Sequence, residues 1–511
     1  MSGHRLVPLA LASLIAACVA MPTSATPSPP GPLSGGTLTV AQASDIVSLD
    51  PWTASDPATL AVVRQIYEPL VDLEPGGFRI IPKLAERWLV SLDGRVWTFQ
   101  LRQGVHFHDG TALDAAAVAF NFERAQGFAR FDLGSLIASI ATPDSRTVVF
   151  TLRAAYAPFL ASLATPSFGI VSPTCLRQGP AWGTPATRCA AGTGPFRFES
   201  WVAGDRITLA RNESYWGRDA AGRALPYLDA ITFRAIRDEA TRVAELRGAG
   251  VQLALDIGPA STAAVRADPN LAIRGRPSYD VSFLGFGTAK PFDVPEVRRA
   301  IALAVDRAAI IQTAYAGDAR AATQLLPPGV LGYDDTITEF AKYDTAAAKK
   351  ALADAGYPNG FATELYYSPA ATSALPDPRR IADAIAADLV KIGITVDVRT
   401  EAAATLGARS RSGDVPLWLG DRIAERADAD EFLSAVSSNA VVQELVRRAR
   451  AENDTSKRSE LYKQVTKLVQ QDVARVPLFH AAPPLALVLK VNGLVPQPIT
   501  RESFATVSLG R

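Results

Sequence analysis

An α/β class built of mixed α+β lobes is the fold this sequence predicts, and three observations carry it. Segments with strand periodicity and segments with helical periodicity alternate along most of the chain. At 511 residues the chain exceeds what one hydrophobic core serves, so two or three lobes are expected. Beyond the N-terminus there is no uncharged apolar run of the roughly 18 residues needed to cross a bilayer. The mature chain therefore reads as a soluble fold.

The N-terminus stands apart. His4 and Arg5 precede the apolar run Leu6 to Ala17, and a Pro/Ser/Thr stretch from Met21 to Gly36 follows. A short basic start, an apolar core and small residues near a cut site describe a secretory signal over 1–25, with a flexible linker over 26–34. Two processing routes are open. Ile15-Ala16-Ala17-Cys18 is similar to a bacterial lipobox, which would lipidate Cys18, whereas Thr23-Ser24-Ala25 suits ordinary cleavage and release.

Gly36 to Ala41 is a short β-prone run, and Val96 to Leu101 alternates as a strand behind the Asp93-Gly94 turn. Leu113 to Arg124 carries helical spacing, and Arg146 to Leu152 is a strand introduced by Pro143-Asp144-Ser145. Ile207 to Ala210 and Ile231 to Ala235 are further strands. The second half is richer in helices: Pro295 to Val305, Arg307 to Ala314, Thr345 to Ala355 stopped by Gly356, and Ile381 to Ile392 closed by Gly393. Strand Thr395 to Arg399 follows, then helices Val441 to Glu452 and Ser456 to Val473.

Composition narrows the function. Hydrophobic residues make up 48% and charged residues 20%, and 52 basic residues face 51 acidic ones. No basic stripe or aromatic alternation marks a nucleic-acid surface. There is no Gly-x-Ser-x-Gly elbow and no phosphate-binding Gly-x-x-x-x-Gly-Lys loop. His106 and His108 could share one strand face and a metal, but the chain has four histidines (His4, His106, His108, His480) and no carboxylate cluster completes a site. No catalytic residue, metal or cofactor is expected.

The chain has three cysteines, and either processing route takes Cys18 out of the count. Cys175 and Cys189 remain, an even pair that an oxidising compartment would join across a Gly/Pro-rich loop. Two independent buried thiols are the other reading of the same pair.

An ordered set of motifs adds a resemblance. It runs through Gly35-Gly36-Thr37-Leu38, Leu49-Asp50-Pro51 and Ile66-Tyr67-Glu68-Pro69-Leu70. It continues through Ile81 to Trp88, Ser91 to Gly94, Trp97 to Gly110, Gly192 to Phe196 and Arg211 to Gly217. Later pieces are Val297 to Ile301, Asp306-Arg307 and Ala355 to Phe361. Singly each is weak, but in this order and spacing the chain resembles family 5 of the bacterial extracellular solute-binding proteins, which serve peptide and nickel ABC importers. Physically, most of these motifs read as scaffold. Trp88, Trp97, Phe99, Leu101 and Phe107 suit the apolar face of a small sheet, and Gly192-Thr193-Gly194-Pro195 suits a tight turn whose glycines take positive φ.

The resemblance implies a two-lobed periplasmic-binding-protein type II clamp with a domain inserted in the first lobe. Lobe I would comprise 35–67, 192–278 and 480–511, the inserted domain 68–191, and lobe II 279–479. The chain would cross between lobes near Arg276 to Gly285 and near Phe479 to Pro484. A monomer is implied, receiving a small ligand and handing it to permease subunits, without nucleic acid and with a lipid anchor if Cys18 is processed.

In the family's peptide binders, an acidic residue of a Trp-x-Gly-Asp-like segment takes the ligand's α-amino group. Trp418-Leu419-Gly420-Asp421 matches it, so the resemblance implies Asp421 as acceptor, with Trp418 as a cleft wall and Arg422 beside them. Thr53, Ser55 and Tyr279 would be wall residues. Two departures bear on the ligand. Where dipeptide binders carry a carboxylate-gripping arginine, this chain has Ser368 to Leu375 with Thr372 at that place, and Phe286-Gly287-Thr288 replaces Phe-Asn-Thr, removing an amide near the lobe crossing. The stretch from Asp421 to Val441 is also short. A longer or blocked peptide is implied over a free dipeptide. A sugar or opine conjugate, a nickel chelate, or a sensing role on the same fold are the alternatives.

Overall fold

In the computed structural model, residues 3, 31–124, 133–178, 183–187, 189–339, 342–481, 483–498 and 502–510 are described. Cys18 and all of the signal segment but Gly3 lie outside them. Among the described residues, no helix is long and apolar enough to cross a membrane.

Three sheets organise residues 33–511, which cluster as one unit. The first has seven strands, in the spatial order Leu271–Arg274, Leu485–Val488, Leu253–Ala254, Thr37–Gln42, Ala230–Ala235, Arg206–Arg211 and Phe196–Val202. Thr37–Gln42 pairs in parallel with both neighbours, and the remaining pairs are antiparallel. Its core is aliphatic, with Leu38, Val40, Leu209, Ile231 and Leu487 all buried. That burial is the main driving force holding helices such as Pro57–Ile66 against the sheet.

The second sheet has six strands: Ala319–Ala321, Arg475–Ala481, Asp280–Phe286, Leu417–Ile423, Phe361–Tyr367 and Ile394–Thr400. Each face has its own core. Leu284, Leu417 and Leu419 pack with Ile381, Ile385 and Leu389 on one side. Tyr279, Val281 and Phe283 pack with Val446, Tyr462 and Val465 on the other. Helix Pro378–Val390 shows how local sequence sets an element. Asp377 accepts the amide of Arg380 as N-cap, Pro378 fills the first position, and Ile381, Ile385 and Leu389 recur on the buried face.

A four-stranded antiparallel sheet, Ala85–Val90, Val96–Leu101, Thr147–Leu152 and Ile137–Asp144, has its own aromatic core. Trp97, Phe99 and Leu101 alternate onto its buried face with Phe107, while Trp88 packs half-buried beside them. Glu68, 1% exposed, fastens this region to the rest. It accepts from Tyr215 Oη (2.7 Å), Trp216 Nε1 (2.8 Å) and Thr193 Oγ1 (2.9 Å), and pairs with Lys83 at 2.9 Å. His108 belongs to the same seam, with Nε2 at 2.9 Å from the Gly194 carbonyl oxygen, whereas His106 is exposed. Among the described residues no cluster of three metal-ligating side chains occurs.

Two sequence readings are corrected. The glycines of Gly192-Thr193-Gly194-Pro195 do not take positive φ. They are required by close approach, since a Cβ would lie 2.1 Å from the Ile66 carbonyl oxygen at Gly192 and 2.5 Å from that of Gln65 at Gly194. Gly287 is not near a lobe crossing either. It follows the far end of strand Asp280–Phe286, where a Cβ would sit 2.6 Å from the Val415 carbonyl oxygen, so an asparagine has no room there.

The chain passes from the first sheet to the second between Arg274 and Asp280, and returns between Ala481 and Leu485. The two passages are joined to each other. Arg276 Nη1 donates to the Pro483 carbonyl at 2.6 Å, and Ser278 Oγ donates to that of Ala481 at 2.9 Å. The Arg276 guanidinium also pairs with Glu502 at 2.6 Å, with both side chains almost fully buried.

Candidate functional site

Strands Asp280–Phe286 and Leu417–Ile423 run antiparallel, with Ser282 opposite Asp421 and Asp280 opposite Ile423. Opposed residues share a face and alternate residues return to it. Asp280, Ser282, Asp421 and Ile423 therefore lie on one face, at the end of the sheet nearest the passages between lobes. Leu284, Leu417 and Leu419 continue that face into the core.

A turn over Thr372-Ser373 covers both carboxylates. Thr372 Oγ1 donates to Asp421 Oδ2 at 2.5 Å, and Ser373 Oγ donates to Asp280 Oδ2. Thr372, Ser373 and Ile423 line a cleft of about 990 Å3, whose other wall comes from residues beside the seven-stranded sheet, including Ala43, Asp256 and Pro259. Burial pushes the Asp280 carboxyl up to about 7. The Ser373 hydroxyl and the Arg276 charge oppose that shift, and the Asp421 charge reinforces it. Asp421 is raised as well, chiefly by burial, against the Thr372 hydrogen bond and the Arg422 charge. Asp256, on the facing wall, is raised by burial too. Among the described residues, no lysine, arginine or histidine forms an ion pair with Asp280 or Asp421; their polar side-chain partners are hydroxyls. Two carboxylates without an ion-pair partner suit a positively charged group.

A sequence model described as "Bacterial extracellular solute-binding proteins, family 5 Middle" matches residues 79–443. The chain belongs to this family. It is 32% identical over 483 residues to Heme-binding protein A of Haemophilus influenzae, covering 87% of each chain. It is 30% identical over 486 residues to the Dipeptide-binding protein of Escherichia coli, covering 87% of this chain and 89% of that one. Among solved structures, HbpA2 from Haemophilus parasuis superposes with a TM-score of 0.84 at 28% identity, over 93% of this chain and 100% of that one. The mixed α+β, two-lobed architecture is thus that of family 5, whose members are solute-binding proteins of the periplasm.

Within this family 5 protein, the residues singled out from sequence scatter. Asp421 stands directly behind the cleft-lining Thr372. Trp418 does not accompany it. Three residues away on the same strand, it faces the opposite side, packed edge-on against Phe283 at 5.3 Å and near the Arg475 guanidinium. Arg422 is exposed on that opposite side as well. Tyr279 is 1% exposed, packed against Phe78 at 5.2 Å and donating its hydroxyl to the Arg426 carbonyl, so it is core and not cleft wall. Thr53 is exposed and bonds the Asp50 carbonyl at 3.0 Å, and exposed Ser55 comes two residues before the cleft-lining Pro57. His480 is buried with Nδ1 at 3.0 Å from the Asp280 carbonyl oxygen, and burial lowers its pKa to about 4.

Sequence reasoning missed Asp280 and Ser373. Alternation along Asp280–Phe286 marks Asp280 as facing the same way as Ser282. Only the register with Leu417–Ile423 shows that this is the face of Asp421. Cys175 and Cys189, away from these carboxylates, are joined as a disulfide with Cα atoms 5.5 Å apart.

Proposed function

We propose that the protein captures a peptide or peptide-like oligomer in the cleft between its lobes and hands it to the permease of an ABC importer. The observation that carries this reading is the Asp421 carboxylate, held by Thr372 at the cleft and free of any ion pair among the described residues. A charge-assisted bond from a ligand α-ammonium would replace a neutral hydroxyl donor with a stronger one. The relative named Dipeptide-binding protein supports the same ligand class.

The residue in the place of a carboxylate-gripping arginine is Thr372, and its hydroxyl is engaged by Asp421. That supports a ligand whose carboxylate lies further along the chain or is blocked. Lobe I as 35–67, 192–278 and 480–511, with lobe II over 279–479 and an inserted domain over 68–191, supplies the two jaws, and ligand contacts to both would favour the closed state. The protein works as a monomer, exported by its N-terminal segment and either tethered through Cys18 or released after Ala25. Membrane fractionation of Cys18→Ala against wild type separates the two routes.

Native mass spectrometry of periplasmically expressed protein tests the ligand class by identifying what co-purifies. A mass matching a short peptide supports the proposal. An empty cleft that then fails to bind peptides in a thermal-shift screen overturns it.

A further inference from the structure

The cleft floor holds more carboxylate than one α-ammonium needs. Asp280 and Asp421 come from adjacent strands, each opposite the residue two along from the other, so they are diagonal neighbours on one face. Such pairs lie about 7–8 Å apart. Each accepts a hydroxyl from consecutive residues of one turn, Thr372 and Ser373, and neither has a cationic partner among the described residues. Both hydroxyl-bearing residues line the same cleft, so both carboxylates sit one hydrogen bond behind its surface. Asp280 is 7% exposed, an expensive place for a carboxylate with no counter-ion.

Resting on the peptide reading above, we infer that Asp280 is a second ammonium acceptor. The cleft would then select peptides whose first residue is an α,ω-diamino acid such as lysine or ornithine. The α-ammonium meets Asp421, and the side-chain ammonium, on a stem of three or four methylenes, reaches the diagonal Asp280. The apolar stem runs past Ile423, 43% exposed and also cleft-lining, which a charged ligand alone would not use. Thr372 and Ser373 act as stand-in donors that hold the two carboxylates until the ligand's ammonium groups take over.

The charges around Asp280 fit this reading. Asp421 and burial hold its proton on, and Arg276 and the Ser373 hydroxyl favour its release. An arriving ammonium adds to the second set, so the preference for a diamino first residue strengthens from about pH 6 to about pH 8.

The test is isothermal titration calorimetry with Lys-Ala-Ala, norleucyl-Ala-Ala and Ala-Ala-Ala on the wild-type protein and on Asp280→Asn. The lysyl and norleucyl peptides share most of a stem and differ by the ammonium. The expected result is lysyl binding at least about tenfold tighter than norleucyl, with that ratio falling toward one in Asp280→Asn. Equal lysyl and norleucyl affinities on wild type would overturn the second acceptor while leaving the peptide reading standing. A ratio that persists in Asp280→Asn overturns it too, as the wrong carboxylate. Failure of all three peptides to bind overturns the peptide reading, and this inference with it. Should Asp280→Asn not fold, the wild-type ligand comparison decides alone.

Discussion

Thr372 Oγ1 donates to Asp421 Oδ2 at 2.5 Å, linking the turn after one strand of the second sheet to the strand beside it. The bond orients the carboxylate and opposes the desolvation that raises its pKa. Asp421→Asn removes the charge but keeps the shape, and should weaken binding of an amino-terminal ligand at least about tenfold, or about 1.4 kcal/mol. Calorimetry with an unblocked peptide and its N-acetyl counterpart checks this, because the acetylated peptide should lose nothing further in the variant.

Thr372→Val keeps the volume and removes the donor. Asp421 should then ionise less readily, so the acid-side loss of peptide binding moves to higher pH than in the wild type. A loss of affinity that is equal at all pH values would mean that Thr372 acts by shape alone.

Asp280 gives the folded protein a proton that the unfolded chain holds less tightly, its carboxyl being raised to about 7. Its contribution to stability is therefore complete below the ordinary carboxyl range and is lost as pH rises through about 7. Asp256 and Asp421 shift in the same direction. Thermal melting of the ligand-free protein should give Asp280→Asn a midpoint that gains on that of the wild type from about pH 4 to about pH 7, because His480, lowered to about 4 and opposing this slope, titrates in both. An identical slope in the variant would assign the titration elsewhere.

Arg276 and Glu502 form an almost fully buried ion pair at the passage between the sheets. Glu502→Gln would leave the guanidinium uncompensated, at a cost of about 3–5 kcal/mol in urea denaturation. The surface pair Lys350 and Asp354, exposed and four residues apart on one helix, is the control. Its removal should cost less than about 1 kcal/mol.

The Cys175 to Cys189 disulfide closes a short loop, for which chain entropy gives a stabilisation of about 3 kcal/mol. Reductant should lower the melting temperature of the wild type and leave that of a Cys175→Ser, Cys189→Ser double variant unmoved.

Most elements of the fold were legible because period and punctuation agreed locally. Arg307–Ala314 and Val96–Leu101 have the limits their patterns suggest, and helix Thr345–Asp354 ends just before Gly356. The site was legible only in part. Asp421 came from a four-residue resemblance that says nothing of which way neighbouring side chains face. Trp418, three positions away, must face oppositely in a regular strand, and Tyr279 is captured by Phe78 from far along the chain. Asp280 and Ser373 were invisible for a related reason. Their meaning lies in a strand register and a turn that bring residues 280, 373 and 421 together, and no local pattern encodes such a meeting.

The two passages between the sheets are laced to each other by Arg276 to Pro483 and Ser278 to Ala481. They form a single axle, and Ala481 and Pro483, whose carbonyls accept its two bonds, also line the cleft. Substitutions at Thr372, Ser373 or Ile423 should therefore change which ligand is accepted, whereas substitutions at Ala481 or Pro483 should change acceptance and residence time together. Identity and residence time are thus tied where the axle meets the cleft, and retuning the cargo at that wall also alters the cadence of delivery.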